Sequence, residues 1–241
     1  MRLFFLFLLL NSLSFAQKPN DSIVSCQAKN QLLLKRSIIP VLFIGAGIPF
    51  NETQFEQDLK ISIRNQVGND FEFRIDDFIQ YAPIAEMYIA DAFGVPAKNH
   101  WFDQTKYLLF SNFLSGGVTI AFKNILNKTR PNGGDYSMPS GHTSLAFTNA
   151  TVLYNEFNQT APILAYSGYL FSSATGVFRM INNKHWLSDV LVGAGIGILA
   201  TEIIYRIKPL KNWNPFKKTE GVTLVPSFND GTVGFYFGVR L

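Results

Sequence analysis

The sequence is poor in several features that would indicate particular classes of protein. Cys26 is the one cysteine among 241 residues, so no intrachain disulfide can form and the fold must depend on packing. No internal repeat, low-complexity tract or HExxH metal motif is present. The net charge of +4 is modest, and basic residues do not cluster with aromatic residues as nucleic-acid binding requires. We therefore expect no nucleic-acid partner.

Apolar and aromatic residues, by contrast, are plentiful. They make up 47% and 15% of the chain, and 23 residues are phenylalanine. This content is ample for the core of one domain of ordinary size. It is also typical of helices that pack in or beside lipid.

The first sixteen residues have the pattern of a secretory signal peptide. Arg2 precedes an apolar run at residues 3–10, and Ser14-Phe15-Ala16 is a small-x-small ending. We predict cleavage after Ala16; the alternative is a membrane anchor that is retained. In either case we expect the chain that follows to start on the side of the membrane to which proteins are exported.

The rest of the chain predicts an all-α fold, a bundle of about five to six helices with a small C-terminal β-hairpin. We expect an exposed lead-in at 17–36, a helical domain at 37–207, and a basic linker and hairpin tail at 208–241. Pro40 and Pro49 leave room for only a short first helix. Helical segments are predicted at residues 37–51, 52–66, 76–93, 103–126, 140–157, 161–178 and 186–207.

Three further patterns refine this organisation. Asp76 and Asp77 precede a predicted helix, where negative charges are favourable, and a metal role for them is a minor alternative. Gly193 and Gly197 are spaced so that a neighbouring backbone can approach closely. Two β-like runs, 222–228 and 233–240, flank an Asn-Asp-Gly turn signal. Polar residues interrupt the apolar helices, so the number of membrane spans stays open and membrane association is only slightly favoured.

Fixed cations occur in two of the three stretches that carry chemistry. Lys123, Arg130 and Arg179 are candidates for binding an anion, because arginine offers a planar fork to two oxygens and lysine a point charge. Arg130 is followed by Pro131 and a Gly-rich turn, which places it just past the end of a helix. All three cations can still point toward one pocket.

The middle stretch is Pro139-Ser140-Gly141-His142. Ser140 is a good N-cap, and Gly141 lets the backbone come close to a ligand, so free amides at this helix start would bind an anion. His142 would lie beside the bound group.

The last stretch pairs a histidine with a carboxylate. His185 and Asp189 are four residues apart, so on one helix they share a face, and the carboxylate can orient the imidazole as a nucleophile. A lone His-x-x-x-Asp pair is more often structural, and so is a lone Pro-Ser-Gly-His segment. All three stretches together, in this order, favour a phosphoryl-transfer site. The third histidine, His100, has no such neighbours.

These motifs resemble those of the type 2 phosphatidic acid phosphatase (PAP2) superfamily, which also contains bacterial class A acid phosphatases and vanadium haloperoxidases. The match consists of Lys123 with Arg130-Pro131, then 139–142, then Arg179 with His185 and Asp189, at the spacings that the family pattern requires. Phe178 departs from the pattern, because the family usually has serine there.

The resemblance implies a role for each residue. His185 would attack phosphorus and form a phosphohistidine, Asp189 would orient it, and His142 would protonate the leaving oxygen. The resemblance implies neither a metal nor another cofactor. Charge on the transferring group would be stabilised by Lys123, Arg130, Arg179, the Ser140 hydroxyl and the Gly141 amide.

The resulting expectation is an exported, metal-independent phosphatase in a bacterial-type cell envelope, with its active site on the periplasmic side. Its partner would be a phosphorylated lipid or a small phosphate ester, and no obligate protein partner is evident. The alternatives are a soluble periplasmic acid phosphatase, a vanadate-dependent haloperoxidase, and a phosphate binder without turnover.

Overall fold

A computed structural model of the protein describes residues 21–207, 209–210, 213, 222–229 and 232–239. The predicted signal peptide at 1–16 and most of the basic linker lie outside the described residues. The chain divides into two compact units, one up to Ile204 and one from Tyr205 onward.

The described part of the first unit consists of helices and the loops between them, and the predicted all-α class is confirmed. Eight α-helices occur in the described residues, more than the five to six expected. They are α1 (Asp21–Phe50), α2 (Gln54–Val67), α3 (Asp76–Ile79), α4 (Ala82–Ala92), α5 (Trp101–Leu126), α6 (Gly141–Phe157), α7 (Pro162–Ile181) and α8 (Leu187–Ile204).

The first helix is longer than the prolines suggested. α1 runs for 30 residues through both Pro40 and Pro49, so the prediction of a short helix between them was wrong, and the predicted boundary at residue 36 falls inside a helix. A proline removes one helical hydrogen bond but does not prevent the helix from continuing when packing supports it. Here α1 packs against α8, where the Pro40 carbonyl lies over Gly195.

The segment predicted as one helix at 76–93 is two helices. α3 ends at Ile79, and α4 begins at Ala82 with Pro83 in its first turn. Proline suits a first turn because its missing N–H has no intrahelical acceptor there. The break turns α3 into a separate, four-residue element.

The second unit contains the predicted β-hairpin. β1 (Val222–Asn229) and β2 (Thr232–Val239) pair antiparallel, with Val222 opposite Val239 and Asn229 opposite Thr232. Two residues, Asp230 and Gly231, separate the strands in the sequence, as the turn signal indicated.

α6 lies at the centre of the bundle, against α5, α7 and α8. Gly193 and Gly197 face it: a Cβ on Gly193 would lie 2.7 Å from the Ser140 carbonyl oxygen, and one on Gly197 would lie 2.9 Å from the Thr148 nitrogen. The predicted close backbone approach is therefore confirmed, and it ties the start of α8 to the start of α6.

One helix in the described residues, α8, is long and apolar enough to cross a membrane, and 72% of it is buried inside the protein. Most of the exposed apolar side chains lie on other helices. Phe113 on α5 is 80% exposed and Ile163 on α7 is 90% exposed. Others of this kind are Ile89, Phe93, Leu109, Ile120, Ile125 and Leu170.

Replacing Gly197 by alanine should lower the free energy of unfolding by about 1–3 kcal/mol, because the new methyl group meets the backbone of α6. Gly117→Ala is the matched control. Gly117 also lies inside a helix, but nothing is within 4 Å of its would-be Cβ, so this change should be neutral or stabilise by up to about 1 kcal/mol. Thermal unfolding followed by circular dichroism checks both. Equal destabilisation by the two variants would contradict the close packing of α6 and α8.

Candidate active site

The end of α5 and the loop after it hold the first two cations. Lys123 lies in the last turn of α5, and its ammonium donates to the carbonyls of Tyr136 and Ser137, the latter at 3.4 Å. Asn127 then adopts the left-handed conformation that ends the helix, as expected. Arg130 follows, and its Nε donates to the Asp135 carbonyl at 3.0 Å. The loop therefore fixes both half-buried cations.

Ser140 caps α6, as the sequence predicted. Its hydroxyl accepts from the Thr143 amide at 3.4 Å, and its own amide donates to the Asp189 carbonyl at 2.9 Å. Gly141 is the first residue of the helix, so its amide belongs to the positive end of the helix dipole. The direct contacts of Ser140 and Gly141 with phosphate stay predictions.

Arg179 lies near the end of α7 and is almost completely buried. One of its terminal nitrogens, Nη1, is 2.7 Å from Asp76 Oδ2 and 3.7 Å from Asp77 Oδ1. Its Nε is a buried donor that has no acceptor among the described residues. An unpaired buried donor is costly, and an anion oxygen would satisfy it.

Arg130, His142 and Arg179 line one cleft of about 200 Å³. Three of the predicted residues, from three separate segments, therefore meet at one site. The other lining residues are Glu72, Arg74, Asp76, Asp77, Asn182 and Lys184.

Arg179 acts electrostatically on the other predicted residues. Burial is the largest cause that lowers the pKa of Lys123, Arg130, His142 and His185, and the Arg179 charge lowers the pKa of all four as well. The predicted cations and histidines are thus close enough to repel one another. A bound phosphate would relieve this repulsion.

Asp77 is a cleft residue that the sequence did not reveal. Its Oδ1 lies 3.0 Å from His142 Nε2. Burial and the Arg179 charge lower the pKa of His142, and the hydrogen bond and charge of Asp77 oppose this effect. The interpretation of Asp76 and Asp77 as mere helix-start charges was therefore incomplete, since their side chains contact Arg179 and His142, two of the predicted site residues.

The segment that carries these two aspartates is held by α7. Asn182 donates to Asp76 Oδ1 at 2.8 Å and exchanges two hydrogen bonds with the backbone of Phe73. Phe178, the departure from the family pattern, packs its ring 5.9 Å from that of Phe73. In place of a serine hydroxyl, the chain has an apolar contact that fixes the loop bearing Asp76 and Asp77.

His185 and Asp189 contact each other, but not as residues of one helix. His185 precedes α8, and its Nδ1 lies 3.4 Å from Asp189 Oδ2. Asp189 is in the first turn of α8, and the same oxygen accepts from the Trp186 amide at 2.9 Å, as in a capping box. The predicted pairing is present, and helix capping rather than a shared helix face produces it.

His185 is buried, and it does not line that cleft. Its exposed fraction is 3%, and it lines a cavity of about 10 Å³ with Pro131, Trp186 and other residues. Burial lowers the pKa of His185 to about 4, against the opposing effect of Asp189. The imidazole is therefore neutral at neutral pH. Because Asp189 accepts a hydrogen bond at Nδ1, the lone pair is assigned to Nε2.

Other residues around Asp189 also escaped the sequence analysis. The Ser137 hydroxyl donates to Oδ2, and Lys128 lies 3.2 Å from Oδ1. No spacing rule connects these residues with Asp189, although Lys128 lies inside the motif segment between Lys123 and Arg130. Within the described part of the chain, no three His, Cys, Asp or Glu side chains are grouped as a metal site.

Comparison with known proteins points to one family. A family model described as the PAP2 superfamily matches residues 132–213. Those residues of this chain are thus PAP2-like. The lipid A 1-phosphatase of Porphyromonas gingivalis is 34% identical over 175 residues, which are 68% of this chain and 39% of that protein. This chain spans about two fifths of the length of that relative, and Lys123 and Arg130 precede the range that the PAP2 model matches.

Two solved PAP2-type proteins are similar in structure. A transmembrane PAP2-type phosphatidylglycerolphosphate phosphatase from Bacillus subtilis has a TM-score of 0.53 and 16% identity, over 70% of this chain and 94% of that one. Aquifex aeolicus LpxE has a TM-score of 0.49 and 22% identity, over 65% of this chain and 98% of that one. The Bacillus protein supports the PAP2 fold of this chain.

The charge of Lys123 should make anion binding depend on pH. Burial and the charges of Arg130 and Arg179 lower the pKa of Lys123 to about 8, so the ammonium is charged below this pH and loses its proton above it. Affinity for sulfate, whose own charge is constant here, should fall above about pH 8, by up to about tenfold per pH unit. Calorimetric titration of wild type and Lys123→Arg measures this. The arginine variant keeps its charge and should show a flatter curve; identical curves would contradict the assignment.

Proposed function

We propose that this chain is a phosphatase that removes phosphate from a phosphorylated lipid. The observation that carries the proposal is the cleft shared by Arg130, His142 and Arg179, whose buried Nε has no acceptor among the described residues. The His185–Asp189 pair is near enough for the Arg179 charge to act on His185. The match to the PAP2 superfamily model and the lipid A 1-phosphatase relative support the proposal.

The nucleophile in this proposal is His185. Asp189 fixes the proton of His185 on Nδ1, and Nε2 attacks phosphorus, so that a phosphorus–nitrogen bond forms as the bond to the leaving oxygen breaks. Arg130, Arg179 and Lys123 stabilise the charge on the other phosphoryl oxygens. Because His185 is 3% exposed, the side chains that cover it must move when substrate binds.

His142 handles the proton on the other side of the cleft. In its protonated form it gives a proton to the leaving oxygen, and in its neutral form it then takes a proton from the water that attacks the phosphohistidine. This second attack forms inorganic phosphate and breaks the phosphorus–nitrogen bond. Asp77, 3.0 Å from His142 Nε2, stabilises the protonated form.

A lipid substrate is favoured by the outer surface of the bundle. Exposed Phe113 on α5 and Ile163 on α7 belong to apolar faces that water would hydrate poorly. Such faces suit contact with a bilayer, where lipid headgroups could reach the cleft. The named relative acts on lipid A, so a lipid A-type phosphate is the first substrate to test. We place the cleft on the periplasmic side because residues 1–16 have the pattern of an export signal.

Replacing His185 by glutamine should abolish turnover, with a loss of at least about a thousandfold in kcat, because no nucleophile remains. His100→Gln is the matched control, since His100 caps the start of α5 at the protein surface. Phosphate release from lipid A 1-phosphate and from a soluble aryl phosphate, both in chelator, measures this. Equal activity of His185→Gln and wild type would refute the mechanism. Loss of wild-type activity in chelator would refute metal independence.

Asp77→Asn should shift the pH profile of kcat. Asp77 raises the pKa of His142 against the effects of burial and Arg179, so its removal lowers that pKa. The proton donor is then lost at lower pH, and the alkaline limb of the profile should move toward acid. Asp58→Asn, which changes an exposed carboxylate on α2, should leave the limb in place. A shift toward alkaline pH in Asp77→Asn would contradict the role of Asp77.

A further inference from the structure

A buried ion-pair network lies behind the His185–Asp189 pair. Lys128 is 8% exposed, and its ammonium lies 3.2 Å from Asp189 Oδ1, 3.2 Å from Glu56 Oε2 and 2.7 Å from Ser188 Oγ. A buried lysine is stable in its charged form only with such partners. Its cation therefore belongs to the surroundings of Asp189 and not to the cleft.

Glu56 anchors this network from the far side. It is 2% exposed in the first turn of α2, where the Ser188 amide donates to Oε1 at 2.8 Å and the Glu52 amide donates to Oε2 at 3.1 Å. The sequence predicted a helix at 52–66 but did not indicate that this carboxylate is buried. α2 is joined through Glu56 and Lys128 to the first turn of α8.

The two carboxylate oxygens of Asp189 contact different partners. Oδ2 faces His185 Nδ1, the Ser137 hydroxyl and the Trp186 amide, whereas Oδ1 is held by Lys128. With both oxygens held, the carboxylate cannot rotate without losing a charge-assisted hydrogen bond. Lys128 also offsets one of the two negative charges that Asp189 and Glu56 bring into the interior.

We propose that Lys128 and Glu56 are positioning residues for the reaction at His185. Lys128 holds the Asp189 carboxylate ionised and in the orientation that directs His185 Nε2 toward phosphorus, and Glu56 balances the lysine so that its charge is shared between two carboxylates. The inference rests on the phosphatase function proposed above. Neither residue touches the substrate.

Several charged groups surround the His185–Asp189 pair. They are Glu56 and Lys60 on α2, Lys123 on α5, Lys128 and Arg130 in the loop that follows, and Arg179 on α7. Only Lys128 and Glu56 are altered in the variants below, so the charges of the other groups stay constant.

The first test is Lys128→Met. It should lower kcat by about ten- to a hundredfold with little change in KM, because the nucleophile is misdirected while the phosphate-binding cations remain. Without the cation Asp189 is protonated more easily, so the acid limb of the kcat profile should move to higher pH. Lys106→Met is the matched control, since it removes another buried lysine with a carboxylate partner, Asp103. Its kcat profile should match that of wild type.

Glu56→Gln should move the acid limb of the kcat profile in the opposite direction. It therefore tests the proposal even if Lys128→Met does not fold. Lys128 then acts on Asp189 alone, so the carboxylate is harder to protonate and the acid limb should move to lower pH. The double variant should return the limb toward its wild-type position. A merely structural role would lower activity equally at all pH values and make the double variant worse than either single one. That result would overturn the proposal.

Nitrogen NMR gives a readout without turnover. The chain has three histidines, so His100→Gln and His142→Gln suffice to assign the ring signals of His185. The wild type should show a protonated Nδ1 and a bare Nε2 on His185, and Glu56→Gln and Lys128→Met should shift these signals while Lys106→Met does not. Unshifted His185 signals would overturn the positioning role. A wild type that releases no phosphate from any substrate but shows these shifts would instead refute the phosphatase function alone.

Discussion

The ion pair between Arg179 and Asp76 is the interaction on which the site depends. Besides burial, the charge of Arg179 lowers the pKa of both Lys123 and Arg130, so the three cations lie close enough to repel one another and an empty pocket with this charge would be unstable. Asp76, 2.7 Å from Arg179, offsets part of the repulsion and is itself held by Asn182. In the proposed reaction the same carboxylate would also weaken the attraction for phosphate and so favour release of the product. Stability of the empty site and the proposed turnover would thus rest on one buried contact.

His142 and His185 lie in different surroundings, which suit them to different roles in the proposed reaction. His185 is nearly inaccessible and neutral, with one nitrogen committed to Asp189. His142 lies at the cleft wall, where Asp77 favours its protonated form and Arg179 opposes it. A nucleophile needs a lone pair, and a proton donor needs a pKa near the working pH. Burial and partner charge give the same side chain these different properties, and neither depends on a metal in the proposed reaction.

The sequence predicted most of the helices and three residues that line the cleft, Arg130, His142 and Arg179, because capping signals and motif spacings can be read directly from a sequence. The Ser140 cap and the Gly193–Gly197 contact are examples. Contacts across long separations were not predictable: Glu56 reaches Ser188 over 132 residues, and Asp76 reaches Arg179 over 103. The pattern of apolar and polar residues along the sequence does not show which acidic side chain will be buried. The prediction at Pro40 was wrong for the opposite reason. Proline usually ends a helix, but the packing of α1 on α8 lets the helix continue through it.

The helix that passes a length and composition test for membrane spanning is the one that carries Asp189. α8 is mostly buried, and its glycines let α6 and α1 approach its backbone, so its apolar character serves packing inside the protein. α5 and α7 fail the same test but present Phe113 and Ile163 outward. Hydropathy averages over a helix, whereas lipid contacts only one of its faces. A bundle of this kind can therefore meet a bilayer through helices that look too polar, while its most apolar helix carries Asp189 inside the protein.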